Sequence, residues 1–174
     1  MDVGYVLFSP NGRTGPRDFL RGLILLTGAS IIVQLGSTYV SPAVALVQYV
    51  LVWSYACVYG KRLHDAGYSA WLCLAFFAGF MVVNWIVSGM LMPLLSPEAM
   101  KILTELEQVA ASGGFSAMLQ AMSERAPEIA RKSAMTNLVA MLVSTAVLAF
   151  IGTRLRSDPN SNVHGPATGP GNLF

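Results

Sequence analysis

Lys61, Arg62, His64 and Asp65 can all hold or move a charge, and they fall within five positions of one another. The chain is otherwise sparsely charged, with 11 Lys and Arg and 9 Asp and Glu in 174 residues. A histidine beside a carboxylate offers the parts of a general base and its orienting acid. Neighbours on a helix diverge by about 100°, however, so His64 and Asp65 are not expected to bond each other. No Ser or Cys nucleophile motif, glycine-rich phosphate loop or HExxH pattern accompanies them. The other chemistry open to this group is anion recognition, since Arg forks onto phosphate and His adds a donor or acceptor. With two upstream arginines, the candidate site is Arg13, Arg17, Arg62 and His64 around an anionic headgroup, with Asp65 orienting them. The competing reading is a clamp, in which Asp65 pairs with Arg62 or Arg13 and locks the N-terminal segment onto the turn.

Other chemistries find little support. Cys57 and Cys73 flank the charged group but form no CxxC pair, and two thiols alone do not close a tetrahedral zinc site. His164 has no neighbouring ligand residues in the sequence. No metal, cofactor or nucleic-acid partner is expected.

The elements that must position these residues are hydrophobic. The apolar fraction is 54%, the charged fraction 11% and the mean hydropathy +0.56, against about 25% charged residues in soluble chains. Four segments, about 19–40, 42–60, 70–95 and 133–153, are long enough to cross a hydrocarbon core of roughly 30 Å, which takes about 20 residues. From Gly22 onward none carries an Asp, Glu, Lys or Arg in its interior. Spanning segments must satisfy their own backbone groups, so each is read as a helix. Runs such as 72–83 lack the strict alternation of a membrane barrel. The expected class is therefore an all-α integral membrane protein, a four-helix bundle in a single domain over 1–156. The opening segment shows no small-x-small cleavage pattern, so the first span is expected to remain as an anchor.

Lys and Arg accumulate on the cytoplasmic side of membrane proteins. With both termini inside, the inner segments carry Arg13, Arg17, Arg21, Lys61, Arg62, Arg154 and Arg156. The outer ones carry Lys101, Arg125, Arg131 and Lys132. Tyr59, Tyr68 and Trp71 bracket the inner turn, where aromatic rings favour the headgroup level. Inside the spans, Gln34, Gln48, Asn84 and Asn137 are expected to face the bundle. Ala56 with Gly60, Ala75 with Gly79 and Ala140 with Ser144 are small pairs at a spacing that allows close helix approach.

Between the third and fourth spans, 96–132 forms a polar loop on the outer side. Ser96-Pro97-Glu98 reads as a helix start. Met100, Ile102, Leu103, Leu106 and Val109 make one apolar stripe, and Phe115, Met118, Leu119, Met122 and Ile129 make another beyond a break at Ser112-Gly113-Gly114. Two short amphipathic helices on the outer leaflet are expected, or a surface for a membrane-protein partner. Residues 157–174, rich in Pro, Gly, Asn and Ser, read as a disordered cytoplasmic tail.

Two fragments carry a resemblance. Phe8-Ser9-Pro10-Asn11-Gly12-Arg13-Thr14, with Arg17-Asp18-Phe19, is similar to a juxtamembrane F-x-x-x-G-R-x-x-R-x-x-F opening. Arg62-Leu63-His64-Asp65-Ala66-Gly67-Tyr68-Ser69-Ala70-Trp71 resembles an R-R-L-H-D-x-G-x-S-G-W turn after a second span. Both resemble the small bacterial inner-membrane proteins grouped as unknown-function family 805, over about residues 5–95. Lys61, Leu20 and Ala70 depart from the usual Arg, Trp and Gly, and the 96–132 loop is longer. The resemblance implies a bacterial inner-membrane location and a multi-span fold, and it supplies no reaction. The expected role is a structural, accessory or lipid-interacting membrane protein that meets anionic phospholipid at its cytoplasmic face. A small transporter or channel is the first alternative, although it would call for ionisable groups inside the spans or broken helices. A membrane enzyme acting on lipid headgroups is the second.

Overall fold

The computed structural model describes residues 1–168. Six α-helices follow one another: α1 Val3–Phe8, α2 Pro16–Tyr39, α3 Val47–Asp65, α4 Cys73–Leu95, α5 Pro97–Lys132 and α6 Ala134–Arg154. Short 3₁₀ turns, Pro42–Leu46 and Ala70–Leu72, lead into α3 and α4. No strand forms among the described residues, only a single bridge between Asn162 and Gly165.

Four helical segments are long and apolar enough to cross a membrane: Pro16–Tyr39, Pro42–Asp65, Ala70–Leu95 and Ala134–Arg154. The second runs a turn further than its apolar window. Lys61 to Asp65 therefore form the last turn of α3, and the chain reverses only afterwards. A 6→1 bond from Tyr68 N–H to Leu63 O and a 5→2 bond from Gly67 N–H to His64 O close the helix, which is the Schellman arrangement. It requires a left-handed residue, supplied by Gly67 at φ 79°. Cationic side chains in this last turn also complement the helix dipole.

α4 lies mainly along α6, and α2 packs on both α3 and α6. Phe19, Leu23, Leu26, Val58, Tyr59 and Leu148 form the apolar centre. The Phe19 ring meets Tyr59 edge-on at 5.3 Å, and Tyr59 meets Phe76 at 4.7 Å. Small residues sit at the close approaches. Ala140 and Ser144 are fully buried, Gly79 faces Leu148 and Gly60 faces Ala70. α4 itself buries no residue.

Of the four span amides, Gln34 and Asn84 are half-buried and Gln48 borders the space between the helices. Gln48 and Asn137 are exposed, and Asn137 bonds back to Ser133 on its own helix at 3.1 Å. Asn137 lies in the first turn of α6, at the start of its apolar segment.

The 96–132 segment also differs. α5 kinks at Gly114 (φ 78°, ψ −179°), within the break read from the sequence. Its halves then fold back on each other: Arg125 pairs with Glu105 at 2.5 Å and Lys132 with Glu98 at 3.2 Å. A straight helix would separate residues 20 apart by about 30 Å, so these pairs require a hairpin. Ala99, Ile102 and Leu106 are buried against the bundle, and Ser96 Oγ meets Thr136 Oγ1 at 2.8 Å. Ile102 and Leu106 of the first stripe are thus covered by this chain itself, while Met100 stays exposed. Phe115, Leu119 and Met122 of the second remain exposed.

Residues 157–168 belong to the stretch whose composition reads as a disordered tail. They form a strap across the ends of α2, α3 and α6, held by the bonds described below; 169–174 lie outside the described residues.

Candidate functional site

Asp65, at the end of α3, is the centre of the charged group. Its side chain is fully buried, and the side chains of Arg13 and Arg62 are each 1% exposed. Arg62 lies one helical turn earlier and gives Nη1 to Asp65 Oδ2 at 2.5 Å. Arg13 comes from the loop between α1 and α2 and reaches Oδ1 through Nε at 3.2 Å and Nη2 at 3.1 Å. Thr168 Oγ1 donates to the same Oδ1 at 2.6 Å. The carboxylate is therefore shared by two guanidiniums and a hydroxyl.

The remaining donors of both arginines are also engaged. Arg13 Nη1 donates to the carbonyls of Asn160 and Gly165, and Nη2 to those of Asp158 and Asp65. Arg62 Nε donates to Gly152 O at 3.0 Å, Nη1 to Ser157 Oγ, and Nη2 to Leu155 O. Arg13 thus gathers the strap, and Arg62 ties the end of α6. Burying these charges is costly on its own, and the close pairs and bonds to their remaining protons offset it. Asp65 O in turn accepts Asp158 N–H at 2.7 Å. The Asp158 carboxyl is held below the usual carboxylate range, chiefly by the backbone N–H of Asn160.

His64 does not work with Asp65. Its Nδ1 lies 3.0 Å from Gly12 O, and a carbonyl only accepts, so Nδ1 carries the hydrogen. Its ring stacks on His164 with centroids 3.6 Å apart and planes 4° off parallel. Asn162 Nδ2 donates to His64 O at 3.1 Å. No general-base dyad is assembled. His164 nevertheless has a histidine neighbour, although no group of three metal-ligating side chains forms among the described residues.

Of the five candidate residues, the fold brings Arg13, Arg62, His64 and Asp65 together. It leaves Arg17 apart, exposed on the first turn of α2. Lys61 joins the cluster instead. Fully buried, it donates through Nζ to Tyr5 O and to Val6 O and lies 4.5 Å from the Tyr5 ring centre. It thereby anchors α1, and its place beside Arg62 was the available sign. Tyr5 Oη accepts Arg13 N–H at 3.2 Å. Gly12 has φ 96°, and a Cβ there would lie 1.9 Å from Tyr5 Oη, so only glycine fits the turn that presents Arg13. The strap residues Ser157, Asp158, Asn162 and Thr168 carried no usable sequence signal.

Within the spans, an apolar cavity of about 200 Å³ opens between α2, α3, α4 and α6. Tyr55, Tyr59, Phe76 and Phe80 line it, and its polar features are limited to side chains such as Ser30, whose hydroxyl meets that of Tyr55 at 3.4 Å. Its lining contains no Asp, Glu, Lys, Arg or His.

No protein-family model, curated protein or solved structure matches this chain. The resemblance to unknown-function family 805 therefore rests on the residues quoted for it.

Proposed function

We propose that this chain is a lipid-interacting accessory protein of the bacterial inner membrane, with both termini on the cytoplasmic side and the α5 hairpin in the periplasm. The observation that carries the reading is the division of labour among cations at one end of the bundle. Arg13, Lys61 and Arg62 are buried and consumed in bonds within the chain, while Arg17, Arg21, Arg154 and Arg156 are exposed around them. Tyr68 and Trp71 are exposed at the same end. Exposed cations and amphipathic rings in one zone suit a headgroup layer rich in anionic lipid. The buried set serves as the clamp that gives this end its shape. A transport role draws no support from the cavity between the spans, and a catalytic one draws none from His64.

Two measurements test the proposal. In a background with Cys57 and Cys73 replaced by Ala, cysteines at Ser112 or Ser116 should react with an impermeant reagent added to intact cells. Those at Ser9 or Asn160 should react only after lysis; labelling of Asn160 from outside refutes the orientation. Nanodiscs drawn directly from the native membrane should hold anionic phospholipid in excess over the surrounding bilayer, and an unbiased lipid complement refutes the lipid-interacting role.

A further inference from the structure

α2 begins beside the clamp, but its own start is left open. Its N-cap is Gly15, which has no side chain to cap the helix, and the first helical residue, Pro16, has no N–H. The N–H groups of Arg17 and Asp18 therefore point out of the helix without a side-chain acceptor. Immediately before the cap sits Thr14. It is 3% exposed, and its Oγ1 has no hydrogen-bond partner among the described residues. A buried hydroxyl is ordinarily paired, so this orphan calls for an explanation.

Thr14, Gly15, Arg17, Asp18, Arg21 and Thr168 line part of a cleft of about 420 Å³ at this helix start. The acids on its walls are engaged: Asp18 pairs with Arg21 at 3.3 Å, and Asp2 caps α1 by accepting Tyr5 N–H. Arg13, also at the wall, is held by Asp65 and the strap. Arg17 has no ion pair or side-chain hydrogen bond among the described residues, and it shares a helix face with Arg21. Arg21 is already paired with Asp18, so Arg17 is the cation left for an added anion. A helix N-terminus attracts the same anion through its free N–H groups and its dipole.

We propose that this cleft binds a phosphate group. Its oxygens accept hydrogen bonds from Thr14 Oγ1, the backbone N–H groups of Arg17 and Asp18, and the Arg17 guanidinium. The inference rests on the lipid-interacting reading for the source of that phosphate, an anionic phospholipid headgroup, while the recognition chemistry would equally hold free phosphate. The site differs from the one read off the sequence. Arg17 is the only candidate residue common to both, because the donors of Arg13 and Arg62 are already taken.

The test uses the full chain in neutral detergent, with native mass spectrometry and thermal melting. Wild type is titrated with phosphatidylglycerol, with phosphatidylcholine and with inorganic phosphate, and the same is done for Thr14→Val and Arg17→Gln. Retention of phosphatidylglycerol should fall at least about fivefold in each variant, as expected when one bond to a charged group is removed. Melting without ligand should not fall in Thr14→Val, which removes an unpaired hydroxyl at constant volume, nor in the exposed Arg17→Gln. Thermal protection by inorganic phosphate, lost in both variants, would identify a free-anion source for the same site. Selective lipid retention that neither variant alters would overturn this site and leave the broader lipid reading standing. An absence of both selective retention and phosphate protection in wild type would overturn both.

Discussion

Thr168 Oγ1 donates to Asp65 Oδ1 at 2.6 Å, joining positions 103 apart in sequence. The strap therefore ends on the same carboxylate that Arg13 and Arg62 share. This hydroxyl is the last described link holding the strap down, and hydrogen bonds to charged groups contribute about 1.5–3 kcal/mol. Thr168→Val should raise the hydrogen-exchange rate of the Asp158 and Gly165 amides, while amides in the middle of α2 and α6 keep theirs. Unchanged exchange along the strap would show that Arg13 alone retains it.

Asp65→Asn keeps the shape and removes the charge. Two buried guanidiniums then lose their counter-ion, and breaking a buried pair in this way costs about 3–5 kcal/mol. The melting temperature in detergent should drop sharply. Arg62→Met combined with Asp65→Asn should cost less than the sum of the single changes, with a coupling of roughly 0.5–3 kcal/mol. Additive losses would mean that the two residues act independently.

Gly152 tests the packing below the clamp. A Cβ at this position would sit 2.5 Å from Phe19 Cζ, and Phe19 is fully buried. Gly152→Ala should destabilise the fold by about 1–3 kcal/mol, the usual cost of overpacking. Phe19→Leu in the same chain should recover part of that loss in thermal melts.

Two glycines separate backbone strain from steric overlap. Gly67 has φ 79° with open space around the missing Cβ, whereas Gly12 combines φ 96° with overlap on Tyr5 Oη. Gly67→Ala should cost roughly 1–2 kcal/mol, the penalty for a left-handed L-residue. Gly12→Ala should cost more, and Tyr5→Phe should relieve part of it. Equal losses in denaturant melts would contradict the close approach.

The α5 hairpin carries a pH dependence of defined sign. The Glu128 carboxyl lies below its usual range, chiefly through its bond to Lys132, with Arg125 adding to the effect. A carboxylate with a depressed folded-state pKa stabilises the fold above its unfolded value, near 4.3 for Glu. That contribution is lost as pH falls through the folded-state value. Both pairs lie within the second half of α5, so hydrogen-exchange protection over 115–132 should hold from neutral pH to about 5 and fall below about 4. High salt should weaken it at every pH, because the pairs are exposed. Protection that persists unchanged at pH 3 in high salt would show that the Glu128 pairs do not hold this half of α5.

The four spans, the hairpin break at Gly114 and the pairing of Asp65 with Arg62 or Arg13 could be read from the residues themselves. A hydrophobic run, a helix-breaking glycine and an acid one turn from a base are local properties, carried by side-chain type and short spacing. Tertiary structure alone decided that Arg13 and Arg62 meet on one carboxylate with every guanidinium nitrogen engaged, that Arg17 stands apart, and that Thr14 is left unpaired. It alone turned a stretch with the composition of a disordered tail into a strap. The acceptors that order this strap are largely backbone carbonyls, those of Asp158, Asn160 and Gly165 on Arg13. Every residue carries such a carbonyl, so residue type gives no sign of which ones a distant arginine will find.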